Sequence, residues 1–163
     1  MRNFIWWAVY VVIAIWLQRL VPGLDALVPG LIICMKEKSQ QQTVLFLIVC
    51  VLFQEGCGTL PFGSSIVWYG FAFACYYIGS WFFLVESRIF ILLLSAALGV
   101  GRAAAFYGVG QLQTLQLDTS VLAAPALAQA MLTPLILWLA SVSRAKIVEE
   151  ASRDRKKGLE FRV

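Results

Sequence analysis

Histidine is absent from the 163 residues. Its absence excludes His-ligated haem, histidine-based metal sites and Ser-His or Cys-His nucleophile systems. Charge is scarce too. Charged residues make up 13% of the chain, where a soluble domain of this size carries about a quarter. The deficit is uneven, because Arg144 to Arg162 holds eleven of the twenty-two charges. Cysteine is limited to Cys34, Cys50, Cys57 and Cys75, with no CxxC and apolar neighbours. That setting reads as small buried hydrophobes rather than metal ligands or disulfides. No nucleotide-binding loop, metal-ligand cluster or pair of catalytic carboxylates is present, and no nucleophile stands with a base. The expectation is a non-enzymatic protein with no catalytic, metal or cofactor-binding residues and no nucleic-acid partner.

What the chain does have is apolar sequence: 61% hydrophobic residues and a mean hydropathy of +0.82. Too little polar sequence remains to cover a soluble surface. Repeated apolar runs read instead as an integral membrane protein. The first run, after Met1-Arg2-Asn3, imitates a secretion signal. It is long and Trp-rich, and no small-residue cleavage site follows, so an uncleaved helix is expected.

The pattern predicts an all-α integral membrane protein, a six-helix polytopic bundle with short or broken helices two and three. Segment one covers about Phe4 to Val21, with Trp6, Trp7, Tyr10 and Trp16 near its ends, where rings favour the headgroup layer. Segment two, about Leu24 to Met35, is interrupted by Pro29-Gly30 and is too short for a straight span. Lys36 to Gln42 reads as a polar loop. Segment three runs from Thr43 to about Glu55, segment four from Ser64 to Leu84 and segment five from Ile89 to Val109. A polar connection over Gly110 to Thr119 leads to segment six, Ser120 to Val142, with Pro125 and Pro134 expected to kink it. Residues 1–143 form the six-span domain and 144–163 a basic cytoplasmic tail able to prolong the last helix. Small residues Ala97, Gly101 and Ala105, with Ala124 and Ala128, fit close helix packing within the bundle.

Six spans place Arg2, Lys36, Lys38, Arg88 and the seven basic tail residues on one side, against Arg19 alone on the other. Such a bias assigns the basic side, with both termini, to the cytoplasm. Asp25, Glu55 and Asp118 fall on the exterior side, each isolated in sequence. The tail lies close to anionic membrane lipid, where each basic residue is worth roughly 1 kcal/mol of attraction.

Clues to activity are densest at Phe53-Gln54-Glu55-Gly56-Cys57-Gly58-Thr59-Leu60-Pro61-Phe62-Gly63. An acid closes an apolar run there and a glycine- and proline-broken turn follows. Glu55 and Arg102 are the charges nearest lipid depth, where an unpaired charge costs at least about 2.5 kcal/mol. A structural ion pair between them, a substrate or partner contact, and independent snorkelling are the three readings of that pair.

This stretch resembles a pattern in MreD, the rod shape-determining membrane protein family of bacteria. In that family an acid ends the third segment and a glycine follows eight positions later. Glu55 takes the place of the acid, Gly63 that of the glycine, Pro61 and Phe62 the turn before it, and Pro29 the proline leading segment two. Two departures stand out: aspartate is usual at the acidic position, and the mid-turn glycine falls at Thr59, with Gly58 one place early. The resemblance implies a non-enzymatic scaffold of the bacterial cytoplasmic membrane, active in cell shape and lateral peptidoglycan synthesis. Its implied partners are an MreC-like protein, the MreB filament and the elongation peptidoglycan synthase. Glu55, Gly58, Pro61, Gly63 and Arg102 are the candidate structural or partner-contact residues. The fold it implies resembles substrate-binding subunits of energy-coupling-factor transporters. The alternative is therefore a vitamin or small-molecule binding subunit, with Trp68, Tyr69 and Trp81 as candidate pocket aromatics. A membrane enzyme of unrecognised class is the third possibility.

Overall fold

The computed structural model describes residues 2–57, 63–112 and 119–160. These are all-helical, in six helices: α1 (Arg2–Leu20), α2 (Leu27–Lys36), α3 (Gln40–Cys57), α4 (Ser64–Phe82), α5 (Arg88–Leu112) and α6 (Thr119–Glu160).

Length and composition qualify α1, α5 and α6 as helices able to cross a membrane. Their outward residues fit that setting: Val9, Ile13, Trp16 and Leu20 of α1, Leu92 and Val100 of α5 and Leu139 of α6 are at least half exposed. α2 is apolar but ten residues long. At 1.5 Å per residue it covers about 15 Å, half of a hydrocarbon core about 30 Å thick. α3 and α4 do not qualify. The reason lies in their residues: α3 opens on Gln40-Gln41-Gln42 and carries Gln54-Glu55 in its last turn, while α4 carries Ser64, Ser65, Ser80 and three tyrosines. Membrane character thus rests on three helices rather than on the six expected spans.

α2 is the centre of the fold. Leu27 through Met35 are all buried, and α2 packs against α1, α3, α4 and α6. The Pro29-Gly30 pair does not interrupt it, contrary to expectation. Pro29 is in the first turn, where backbone N–H groups lack helical acceptors and a missing donor costs nothing. Gly30 is a packing position. A Cβ there would collide with the Tyr10 ring of α1 and lie 2.7 Å from Cζ of Phe46 in α3. Between helices in lipid there is little hydrophobic driving force, so such close van der Waals contact supplies much of the cohesion.

The most extensive pairing is α5 with α6. Gly99, rather than Gly101, lets these two approach: a Cβ at 99 would lie 2.8 Å from the Ala126 carbonyl oxygen. Gly101 instead faces the ring of Phe71 on α4. The glutamines expected in the loop before segment three are the first turn of α3. α6 continues as helix through Pro125, Pro134 and the charged region to Glu160. Arg144, expected as the first tail residue, is buried within the fold.

Candidate functional site

Two polar clusters hold the two ends of α2. The first gathers at Asp25, two residues before the helix, whose side chain is completely shielded from solvent. Asp25 Oδ1 accepts from the Leu27 backbone N–H and from Gln18 Nε2, both at 3.0 Å. Oδ2 accepts from Trp68 Nε1 at 2.8 Å. The bond to Leu27 follows from local chemistry, since an aspartate readily accepts from the backbone two residues on. It also sets negative charge on the positive end of the helix dipole. Three donors converge on one carboxylate, so both of its oxygens are satisfied in a dry interior.

Gln129 of α6 fixes the backbone of the same residue. Its Oε1 accepts from the Asp25 N–H at 2.6 Å, and its Nε2 donates to the Asp25 carbonyl at 3.3 Å and to Thr133 Oγ1 at 3.0 Å. Gln129 and Thr133 are four residues apart and therefore share a helix face; both are fully buried. Arg102 of α5 joins from above. Its Nε donates to the Gly23 carbonyl at 3.1 Å, and its guanidinium lies 5.1 Å from the centre of the Trp68 ring. Trp68 therefore offers its N–H to an anion and its face to a cation, the two polarities an indole has available.

The second cluster is at the other end of α2. Arg144 of α6 makes a forked pair with Glu37, Nε to Oε1 at 2.7 Å and Nη2 to Oε2 at 3.1 Å. Its guanidinium lies 5.1 Å and 5.4 Å from the ring centres of Trp6 and Trp7. Trp6 Nε1 donates to Ser143 Oγ at 3.2 Å, tying α1 to α6 beside the ion pair.

The expected motif is only partly within the described residues, since Gly58 and Pro61 are outside them. Its two ends meet. Glu55 Oε1 accepts from the Gly63 backbone N–H at 2.8 Å. Gly63 precedes α4 with φ 87°, a left-handed conformation that favours glycine. The two ends of the eight-residue spacing are thus joined by a hydrogen bond. Of the other candidates, Arg102 is committed to Gly23 and Trp68. Trp68 and Tyr69 are core residues, while Trp81 is 83% exposed. These three aromatics do not converge on one site.

The residues not singled out from sequence as a group are Gln18, Asp25, Gln129 and Thr133. The signal that finds them is a polar side chain inside or beside an apolar helix, which lipid tolerates only facing the interior. Among the described residues, no three His, Cys, Asp or Glu side chains gather to hold a metal ion. Cys34, Cys50 and Cys75 are free thiols.

The chain matches no protein-family model, no curated protein and no solved structure.

Proposed function

We propose that this chain is a non-enzymatic membrane scaffold of the kind to which its likeness to MreD points. In this reading it is a multi-pass protein of the bacterial cytoplasmic membrane, with both termini in the cytoplasm. It assembles there with an MreC-like protein, the MreB filament and the elongation peptidoglycan synthase. The observation that carries the reading is the 2.8 Å bond from the Gly63 N–H to the Glu55 carboxylate. It gives the acid-to-glycine spacing, the core of the resemblance, a physical reason: the turn needs both members. The engagement of the Asp25 carboxylate by groups of the bundle supports a structural rather than catalytic use of that cluster. Every hydrogen bond of the Asp25 carboxylate goes to a side chain or backbone group of the bundle itself.

The transporter reading expects Trp68, Tyr69 and Trp81 around one ligand. Their separation into two core residues and one outward ring weighs against it.

Clean deletion from a rod-shaped host tests the scaffold reading. Rounded cells and co-purification with wall-synthesis proteins are the expected results; unchanged rods would overturn it. In complementation, Glu55→Asp restores rods and Glu55→Leu does not.

A further inference from the structure

The backbones of α1 and α3 stand on either side of α2 without approaching each other. Rings bridge the gap: Phe46 of α3 meets Trp7 at 4.8 Å and Tyr10 at 6.2 Å between centroids. Outside these rings lies an open groove of about 630 Å³, walled by Ala8, Val12, Leu45, Val49 and Phe53. This volume is within the range of small-ligand sites, roughly 300–1,000 Å³.

Three features specify the occupant. The first is length. The lining runs over residues 3–12 of α1 and 42–53 of α3. At 1.5 Å per residue these stretches are about 14 and 16 Å long, the depth of one leaflet of a hydrocarbon core about 30 Å thick. A partner helix crossing the membrane would need a face twice as long. The second is polarity. The walls are apolar except at one end, where Asn3, Trp7 and Gln42 stand. There Trp7 Nε1 and Gln42 Oε1 are buried without hydrogen-bond partners. The terminal amide torsion of glutamine is soft and two-fold, so a half-turn about it exchanges donor and acceptor toward the groove. The third is charge. Lys36 and Lys38, both exposed, precede Gln42 in sequence by six and four residues. Lys36 lines the adjoining groove beside Arg144, whose guanidinium lies 5.4 Å from the ring of Trp7, a wall of this groove. The one acid between them, Glu37, is already engaged by Arg144.

We propose that this groove holds one acyl chain of an anionic phospholipid. Its glycerol region meets Asn3, Trp7 and Gln42, and its phosphate faces Lys36 and Lys38. A chain that is apolar over one leaflet's depth, polar at one end and negatively charged beyond it matches all three features.

Native mass spectrometry of the full chain, released from detergent after exchange into phosphatidylglycerol or phosphatidylcholine, tests the assignment. The expected result is a single retained phosphatidylglycerol. Retention is abolished in Ala8→Trp, which fills the groove. Lys36→Gln, at the last residue of α2, and Lys38→Gln, outside the helices, each weaken phosphatidylglycerol binding roughly fivefold, the worth of one basic residue near an anionic surface. Circular dichroism establishes that each variant is folded, and the lysine variants decide the matter if Ala8→Trp is not. Equal retention of both lipids, no effect of the lysine changes, or a lipid-free dimer whose mass shows a second copy in the groove would each overturn the proposal.

Discussion

The two ends of α2 solve the same problem differently. Each carries one carboxylate, one arginine and at least one tryptophan. At the N-terminal end, Asp25 meets the positive pole of the helix dipole. Neutral donors suffice there: an amide, an indole and a backbone N–H. Arg102 holds the Gly23 backbone carbonyl. At the C-terminal end, Glu37 meets the negative pole, which opposes it. A full positive charge in forked contact is what holds it. Burial follows the same division. Asp25 is wholly shielded, whereas the Glu37 side chain keeps 27% of its surface exposed and shares its desolvation with water. A carboxylate can be buried completely without a direct cation when geometry supplies enough dipoles; against the dipole it keeps both a cation and solvent.

The largest break in this contrast is Asp25→Ala. It orphans three donors at roughly 1–3 kcal/mol each. Thermal denaturation of the protein in lipid nanodiscs should register a loss of about 3–5 kcal/mol, the lower part of that range because α1 and α4 can relax. Gln129→Leu comes next. It strips partners from both backbone groups of residue 25 and should cost about 2–4 kcal/mol by the same assay. Arg144→Ala is milder, about 1–2 kcal/mol, because water can reach the abandoned Glu37. Salt sharpens the comparison. Raising ionic strength should erode the Arg144 contribution and leave the Asp25 contribution nearly unchanged, since only the former is within reach of counter-ions. Glu55→Leu should be the smallest, about 1 kcal/mol for one half-buried hydrogen bond, so a large effect in cells would report on assembly rather than folding.

The helices were legible where a long apolar run meets a polar break: α1, α4, α5 and the start of α6 fall within a few residues of their expected bounds. The errors come from reading residue type apart from its setting, local in some cases and tertiary in others. Pro29-Gly30 reads as a break, but its proline falls in a first turn and its glycine under two rings. Gln40 to Gln42 read as loop because glutamine is polar, yet glutamine is also a good helix former. Arg144 reads as tail because basic residues follow it, while Glu37, which pairs with it, is 107 residues away in sequence. The Asp25 cluster draws on α1, α4, α5 and α6. No spacing within the chain announces it, although Gln129 and Thr133 already stood on one face of an apolar helix.

α2, buried, half-length and pinned at both ends, carries its own probe. Cys34 is fully buried in the last turns of α2, while Lys36, two residues on, is exposed. Labelling the native protein with a small permeant maleimide, mapped by peptide mass spectrometry, reads Cys34 directly, and a Lys36→Cys variant supplies the exposed comparison. Cys34 should stay unlabelled while Cys at position 36 reacts readily, and Asp25→Ala should open Cys34 to the reagent. Labelling of Cys34 in the unmutated protein as fast as the cysteine at position 36 would contradict the account.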